Sequence, residues 1–252
     1  MSRFTNIIVI SLFFLSGCKP KKENDLIIAT AANVQYAMKE LIQTFHEETG
    51  IKANLVVGSS GKLTAQIDQG APFDVFVSAN LKYPNELHKK GLTTNKPEVY
   101  SQGRLVMWTM VGLQKPTLEG LAVDSISKVA IANPKLAPYG IAAVEAMKAA
   151  EVYDRVKDNL VYGESISQTN QFVMSKTVAV GFTSMSVVLS PEMKDKGKWT
   201  EVDKELYSPI EQGVVVIKRD AENVEKAEKF YQFLFSEKAK LILENYGYFT
   251  SL

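Results

Sequence analysis

One cysteine, Cys18, and two histidines, His46 and His88, are all that 252 residues contain of either type. A single cysteine excludes an intrachain disulfide framework. Two histidines, far apart on segments that read as surface helices, leave little material for a histidine-rich metal centre or a Ser-His catalytic pair. Charge of one sign is also missing: 29 Lys and Arg stand against 28 Asp and Glu, for a net charge of +1, and neither end carries a strongly acidic or basic tail. That balance excludes a nucleic-acid surface, which would gather Lys and Arg on one face. No segment is of low complexity, and the only repetition is of strand-turn-helix units. What is present is a hydrophobic fraction of 46%, enough for one large or two modest cores.

The first residues form a separate object. Arg3 supplies one positive charge, and residues 7–15 are an apolar run of signal-peptide length, too short to span a bilayer as a mature helix. Leu15-Ser-Gly-Cys18 follows and resembles a bacterial lipobox, in which the cysteine becomes the lipidated first residue of the mature chain. The alternative is a signal peptide that happens to contain a cysteine, which would leave an odd free thiol in an exported protein. Residues 1–17 are therefore expected to be a lipoprotein signal peptide, and residues 18–25 the lipidated Cys18 with a polar, Pro-containing tether. Loss of residues 1–17 removes Arg3 and no acid, so the mature charge is zero.

From Leu26 the chain repeats one grammar. Leu26 to Ala29 is a buried strand, and Val34, Ala37, Met38, Leu41, Ile42 and Phe45 recur at the spacing of a helix that buries one face, with Asn33 as its expected N-cap and Gly50 as its C-cap. Lys52 to Val57 is a second strand; Gly58-Ser-Ser-Gly61 is its turn, and Leu63 and Ile67 mark the next helix. Asp74 to Ser78 is a third strand and Asn80 to Lys90 a third helix. After a strand over Arg104 to Thr109 and a loop over Gly112 to Gly120, similar units resume. Val129 to Ala132 leads through a long turn ending at Tyr139-Gly140 into a helix over Ile141 to Ala150. Leu160 to Tyr162, a turn and helix over Ser165 to Met174, and Val178 to Phe182 follow. Pro209 to Ile217 is a closing strand, and helices over Val224 to Phe235 and Glu237 to Asn245 end the chain. Strands alternating with helices imply a parallel sheet with right-handed crossovers, whose ligands bind at the C-terminal ends of the strands. Two α/β lobes with a cleft between them are the economical arrangement.

Four turns place small, uncharged groups at helix starts: Asn33, Ser60, Tyr139-Gly140, and Ser165-Ile-Ser167. A helix start presents unpaired N–H donors and about half a positive charge, so several of them converging can hold a dianion without Lys or Arg. Taken singly, each is an ordinary helix cap. Their occurrence in both halves of the chain is what points to a site.

Thr30-Ala-Ala-Asn-Val34, Gly58-Ser-Ser-Gly-Lys-Leu63, the run Gln66-Ile-Asp-Gln-Gly-Ala-Pro-Phe-Asp-Val-Phe-Val-Ser-Ala79 and the closing Tyr246-Gly-Tyr-Phe249 resemble the molybdate-binding proteins of ABC importers, in order over essentially all of residues 26–252. The resemblance implies a two-lobed, periplasmic-binding-protein-like type II α/β fold, each lobe a mixed, mostly parallel sheet flanked by helices, with ligand in the cleft. Lobe 1 is expected over residues 26–104 and 210–252, and lobe 2 over residues 105–209. It further implies a non-enzymatic, monomeric, extracytoplasmic (periplasmic) binding protein, and the lipobox-like run adds the expectation of a membrane tether through Cys18. Such a protein takes molybdate and tungstate as oxyanions, has no cofactor and no side chains ligating a metal cation, and works with ABC permease and ATPase subunits.

Carried over position by position, the family's binding serine falls on Ser60, with side-chain and backbone donors. Its backbone-amide contributors in the other lobe fall on Tyr139 and Ile166. Asn33 stands where many members have serine, and Ser184 where they have tyrosine. The Asn33 amide can still donate; Ser184 is shorter than tyrosine and reaches a ligand only if its backbone moves inward. Molybdate, tungstate and sulfate are fully deprotonated near neutral pH and want donors only. Monohydrogen phosphate carries a proton that needs an acceptor, so it is disfavoured. Other readings on this scaffold are sulfate or thiosulfate, phosphate, or a small organic phosphate, the last calling for charge from Arg104, Lys62 or Lys135. A more distant one is an exported serine enzyme, because Ser59 and Lys62 fit S-x-x-K; the partner Ser-Asp-Asn and Lys-Thr-Gly motifs are absent.

Overall fold

The computed structural model describes residues 25–251 apart from 113, 124, 125 and 220. The signal-peptide and lipobox expectations, Cys18 included, lie outside the described residues. In chain order the elements are β1 (Leu26–Ala31), α1 (Gln35–Thr49), β2 (Ala53–Gly58), α2 (Ser60–Asp68), β3 (Val75–Ser78), α3 (Lys82–Lys89), β4 (Glu98–Gly103) and β5 (Leu105–Thr109). They continue with β6 (Val129–Ala132), α4 (Pro138–Ala149), α5 (Tyr153–Val156), β7 (Leu160–Gly163), α6 (Ile166–Met174), β8 (Val180–Ser184), α7 (Met185–Val188) and β9 (Lys198–Glu201). The chain closes with β10 (Ile210–Val216), α8 (Ala221–Leu234) and α9 (Glu237–Asn245).

These strands form two five-stranded mixed sheets, ordered β2-β1-β3-β10-β4 and β7-β6-β8-β5-β9. Each has the same plan: three parallel strands joined by helical crossovers, then a fourth strand running the opposite way and an edge strand paired antiparallel to it. The chain leaves the first sheet at Gly103 and enters the second at Leu105, and it returns with β10. Near its end Phe249 exchanges backbone hydrogen bonds with Gln102, at 2.8 and 2.9 Å, tying the C-terminal segment back to β4.

Alternation along the strands divides the first sheet's core in two, because successive side chains point to opposite faces. Val75, Val77, Val214 and Val216 pack on one face with Met38, Leu41 and Phe45 of α1, Phe230 and Leu234 of α8 and Leu243 of α9. Phe76 and Val215 pack on the other with Leu63 and Ile67 of α2 and Leu87 of α3. The second sheet is covered likewise, with Trp108, Ala130, Ile131 and Phe182 in one cluster with Ala143, Met147 and Val173.

Several local expectations shift. Asn33 does not cap α1; it sits inside a 3-10 turn over Ala32–Val34 that precedes the helix and has no side-chain cap. Helix α4 starts at Pro138, not Ile141, since Pro at the first helical position lacks only an N–H that would go unpaired there. Its first turn lies so close to β6 that a Cβ on Gly140 would collide with the Ala132 carbonyl oxygen, so only glycine lets this helix start where it does. Strand β8 lies over Val180–Ser184, two residues later than the apolar run suggested. Strands β4 and β9 were not expected, because Glu-Val-Tyr-Ser-Gln-Gly and Lys-Trp-Thr-Glu carry no apolar run.

Candidate functional site

The turns that follow β1, β2, β6 and β7 meet between the two sheets. A small cavity of about 10 Å³ lies there, lined by Ala31, Ala32, Asn33, Gly58, Ser59, Ser60 and Ala79 from one side and by Ala137, Pro138, Tyr139 and Ile166 from the other. Four of the five expected site residues, Asn33, Ser60, Tyr139 and Ile166, therefore share one cavity. No Lys, Arg, His, Asp or Glu is among its lining residues. Arg104, Lys62 and Lys135 do not reach it; Arg104 pairs with Glu201 at 3.7 Å and Lys62 with Glu164 at 2.8 Å.

Local capping explains which donors remain. At the start of α2 the Ser59 hydroxyl oxygen accepts the N–H of Lys62 and the Ser59 carbonyl accepts that of Leu63. Ser59 is thus a helix cap, and with Lys62 paired to Glu164 the S-x-x-K spacing carries no nucleophile-base pair. The buried Ser60 Oγ accepts the N–H of Ala79 at 3.0 Å, an acceptor role that leaves the hydroxyl proton free to donate. At the start of α4 the N–H groups of Gly140 and Ile141 both close on the Ala137 carbonyl, and Pro138 has none. At the start of α6 the Ser165 Oγ accepts from Gln168 N–H and the Ser165 carbonyl from Thr169 N–H. Among the described residues, the N–H groups of Asn33, Ser60, Tyr139 and Ile166 have no acceptor. The cavity therefore combines uncommitted amides from both sides, one hydroxyl, and the positive ends of three helices of nine residues or more.

Asn33 differs from expectation in how it is used. Its Nδ2 donates to Gln212 Oε1 at 2.7 Å and to Tyr248 Oη at 3.0 Å, so both amide protons are committed inside the protein. Gln212 is held in turn by donation from Nε2 to the Ile210 and Ala79 carbonyls at 3.0 and 3.5 Å, which fixes its oxygen toward Asn33. The Asn33 carbonyl accepts from Ser184 Oγ at 3.0 Å, from Tyr248 Oη at 3.0 Å, and from Ser186 Oγ in a short contact. What Asn33 offers the cavity is its backbone N–H, held in place by β10, the C-terminal segment and the β8–α7 turn. Ser184, the fifth expected residue, is fully buried at the end of β8; its hydroxyl is turned to Asn33 and it is not among the lining residues.

Behind the cavity lies a buried phenol cluster. Burial pushes the Tyr139, Tyr248 and Tyr100 hydroxyls well above the ordinary tyrosine range. For Tyr139 the neighbouring phenols of Tyr248, Tyr207 and Tyr100 add to the effect, whereas hydrogen bonds with Ser186 and Asn33 partly oppose it for Tyr248. All three stay neutral in the physiological range. The Tyr139 hydroxyl lies against Gly103, at the crossing between the sheets, and has no hydrogen-bond partner among the described residues.

Gln212, Tyr248, Ser186 and Ala79 were missed as supports of the site. Gln212 had a readable signal, a polar residue inside an otherwise apolar strand. Tyr248 lay in the Tyr-Gly-Tyr-Phe run without an assigned role.

Residues 26–249 match the family described as bacterial extracellular solute-binding protein. The molybdate-binding protein ModA of Rhodobacter capsulatus is 36% identical over 232 residues, which is 92% of this chain and 90% of that protein. The solved periplasmic molybdate-binding protein of Azotobacter vinelandii superposes with a TM-score of 0.82 at 30% identity, covering 89% of this chain and 98% of the other. The sulfate-binding protein SubI of Mycobacterium tuberculosis shares the fold, with a TM-score of 0.73 at 13% identity over 89% of this chain and 85% of its own. The fold is thus the two-lobed type II binding-protein fold, with no catalytic role in the family. By sequence match, fold and a donor-lined cavity between two sheets, the chain belongs to the bacterial extracellular solute-binding proteins, as a ModA-like member.

Proposed function

We propose that this protein captures molybdate, and tungstate with it, by closing two lobes around the oxyanion and delivers it to the permease and ATPase subunits of an ABC transporter. The observation that carries this reading is the cavity itself: donors from both sides and no ionisable carboxylate, imidazole, ammonium or guanidinium in its lining. A dianion that needs no proton acceptor suits such a lining. Hydrogen phosphate would bring one more proton than the ring of amides can accept, and an organic phosphate would find no cation. The names of the relatives point the same way.

In this reading the oxyanion is held by the N–H groups of Asn33, Ser60, Tyr139 and Ile166 and by the Ser60 hydroxyl, while Ser184 acts on the anion through the Asn33 carbonyl it grips. Lobe 1 comprises residues 26–104 and 210–252 and lobe 2 residues 105–209, a division supported by the membership of the two sheets. Cys18 carries the lipid that keeps the protein at an extracytoplasmic membrane surface, and the protein acts as a monomer. A thermal-shift panel with molybdate, tungstate, sulfate, thiosulfate and phosphate tests the assignment. A specific ligand at a hundred times its Kd adds about 2.7 kcal/mol of stability. Molybdate and tungstate are expected to give that shift; stabilisation by phosphate alone would overturn the reading.

A further inference from the structure

We propose that Tyr83 and Gly61, neither of which lines the cavity, form a clasp across the cleft that exists only when the lobes are closed and sets how long the oxyanion is held. The inference rests on the two-lobe binding reading above. Two consecutive carbonyls of the β6–α4 turn receive donors from the opposite lobe. The Tyr83 hydroxyl of α3 donates to the Lys135 carbonyl at 3.2 Å, and the Gly61 N–H of α2 donates to the Leu136 carbonyl at 2.9 Å.

The receiving turn is rigid. Asn133 holds it from within, its carbonyl accepting the N–H groups of Leu136 and Ala137 at 2.9 and 2.8 Å and its Oδ1 that of Lys135 at 3.0 Å. The Lys135 and Leu136 carbonyls are therefore presented outward, as a fixed pair, and Tyr139 follows three residues later. On the other side Gly61 directly follows Ser60. Clasp and cavity are thus built on the same two turns, and drawing Leu136 to Gly61 brings the Tyr139 amide to the Ser60 hydroxyl.

Gly61 also packs closely against the opposite lobe. A Cβ added there would stand 3.0 Å from the Tyr83 hydroxyl oxygen, 3.1 Å from Leu136 Cα and 3.2 Å from the Leu136 carbonyl oxygen, so a side chain would wedge the closed state. The Lys62–Glu164 pair also crosses the cleft, but both side chains are about half exposed, where an ion pair contributes little. The clasp is carried by the two neutral hydrogen bonds.

A ligand's affinity falls with the fraction of molecules in the state that grips it, and contacts formed only on closure act on release more than on capture. Stopped-flow capture and release of molybdate by the intact protein, with Tyr83→Phe, Gly61→Ala and Lys62→Ala variants, tests the clasp. Tyr83→Phe is expected to speed release about three- to ten-fold, the net worth of one neutral hydrogen bond, with association changed less than about two-fold and the ligand-free Tm unchanged. Gly61→Ala is expected to speed it further, and Lys62→Ala by less than about two-fold. Release at the wild-type rate in both Tyr83→Phe and Gly61→Ala, or a ligand-free Tm that falls in step with affinity, would overturn the proposal. Amide exchange at Gly61, followed with and without molybdate, reads the clasp directly, and slower exchange with molybdate is expected in the wild type than in Tyr83→Phe. If the wild type binds no oxyanion, the cage reading fails; faster Gly61 exchange in Tyr83→Phe would then still support the clasp, and unchanged exchange would remove it.

Discussion

Ser60 and Asn33 sit side by side in the same cavity and do different work. Ser60 gives a hydroxyl whose oxygen is occupied by Ala79 and whose proton is not. Ser60→Ala is expected to weaken oxyanion binding by about 1.5–3 kcal/mol, the scale of a hydrogen bond to a charged group, as measured by titration calorimetry. Asn33 spends its side chain on the protein. Gln212→Leu would leave the buried Asn33 amide one acceptor short, and chemical denaturation is expected to show a loss of about 1–3 kcal/mol in stability. The sequence made Asn33 legible as a site residue, because it ends a strand-and-turn unit like that of Ser60. It did not disclose that Asn33 donates to a glutamine 179 positions away, since nothing local to either residue encodes the pairing.

The phenols give a residue-scale pH signature. Tyr100, Tyr139 and Tyr248 are raised from the ordinary value of 10.0 by burial, so the unfolded chain releases these protons first. Their contribution to stability is full below about pH 10 and is lost as pH rises from there toward the folded values. A denaturation series in alkaline buffer is expected to show stability falling from that point. Oxyanion affinity, by contrast, is expected to stay flat from about pH 6 to about pH 9, because no lining side chain titrates there.

At the scale of elements, the strand-turn-helix units were readable wherever burial imposed a period. The α1 spacing of Ala37, Met38, Leu41 and Phe45 is that of a helix with one covered face, and those four residues are fully buried. The covering element is also aromatic: Phe45 meets Phe230 edge-on at 5.1 Å and an interplanar angle of 88°. Phe230→Ala is expected to cost about 3–5 kcal/mol in a denaturation midpoint experiment, through the cavity it opens between α1 and α8. The antiparallel edge strands β4 and β9 were not readable, since a short edge strand takes its place from its partner's hydrogen bonds and not from a hydrophobic pattern. The start of α4 was misread for a related reason. Pro138 and Gly140 look like turn residues, yet one fits the first helical position and the other allows close packing on β6.

At the scale of the whole molecule, the two sheets repeat one plan, and the cavity lies where their parallel strands end. That location follows from the alternation of strands and helices alone. The support behind it does not: β10, the C-terminal segment and the β8–α7 turn converge on one asparagine carbonyl and one amide, and only the folded chain brings them together. A charge-free cage is the property on which the functional reading depends. Titration calorimetry of molybdate into the purified protein, repeated with sulfate and with phosphate present in excess, tests it most directly. One molybdate per chain should bind, with little competition from phosphate, and Ser60→Ala should weaken it by the amount given above. No heat from molybdate, or full displacement by phosphate, would contradict the assignment of this cavity to a fully deprotonated oxyanion.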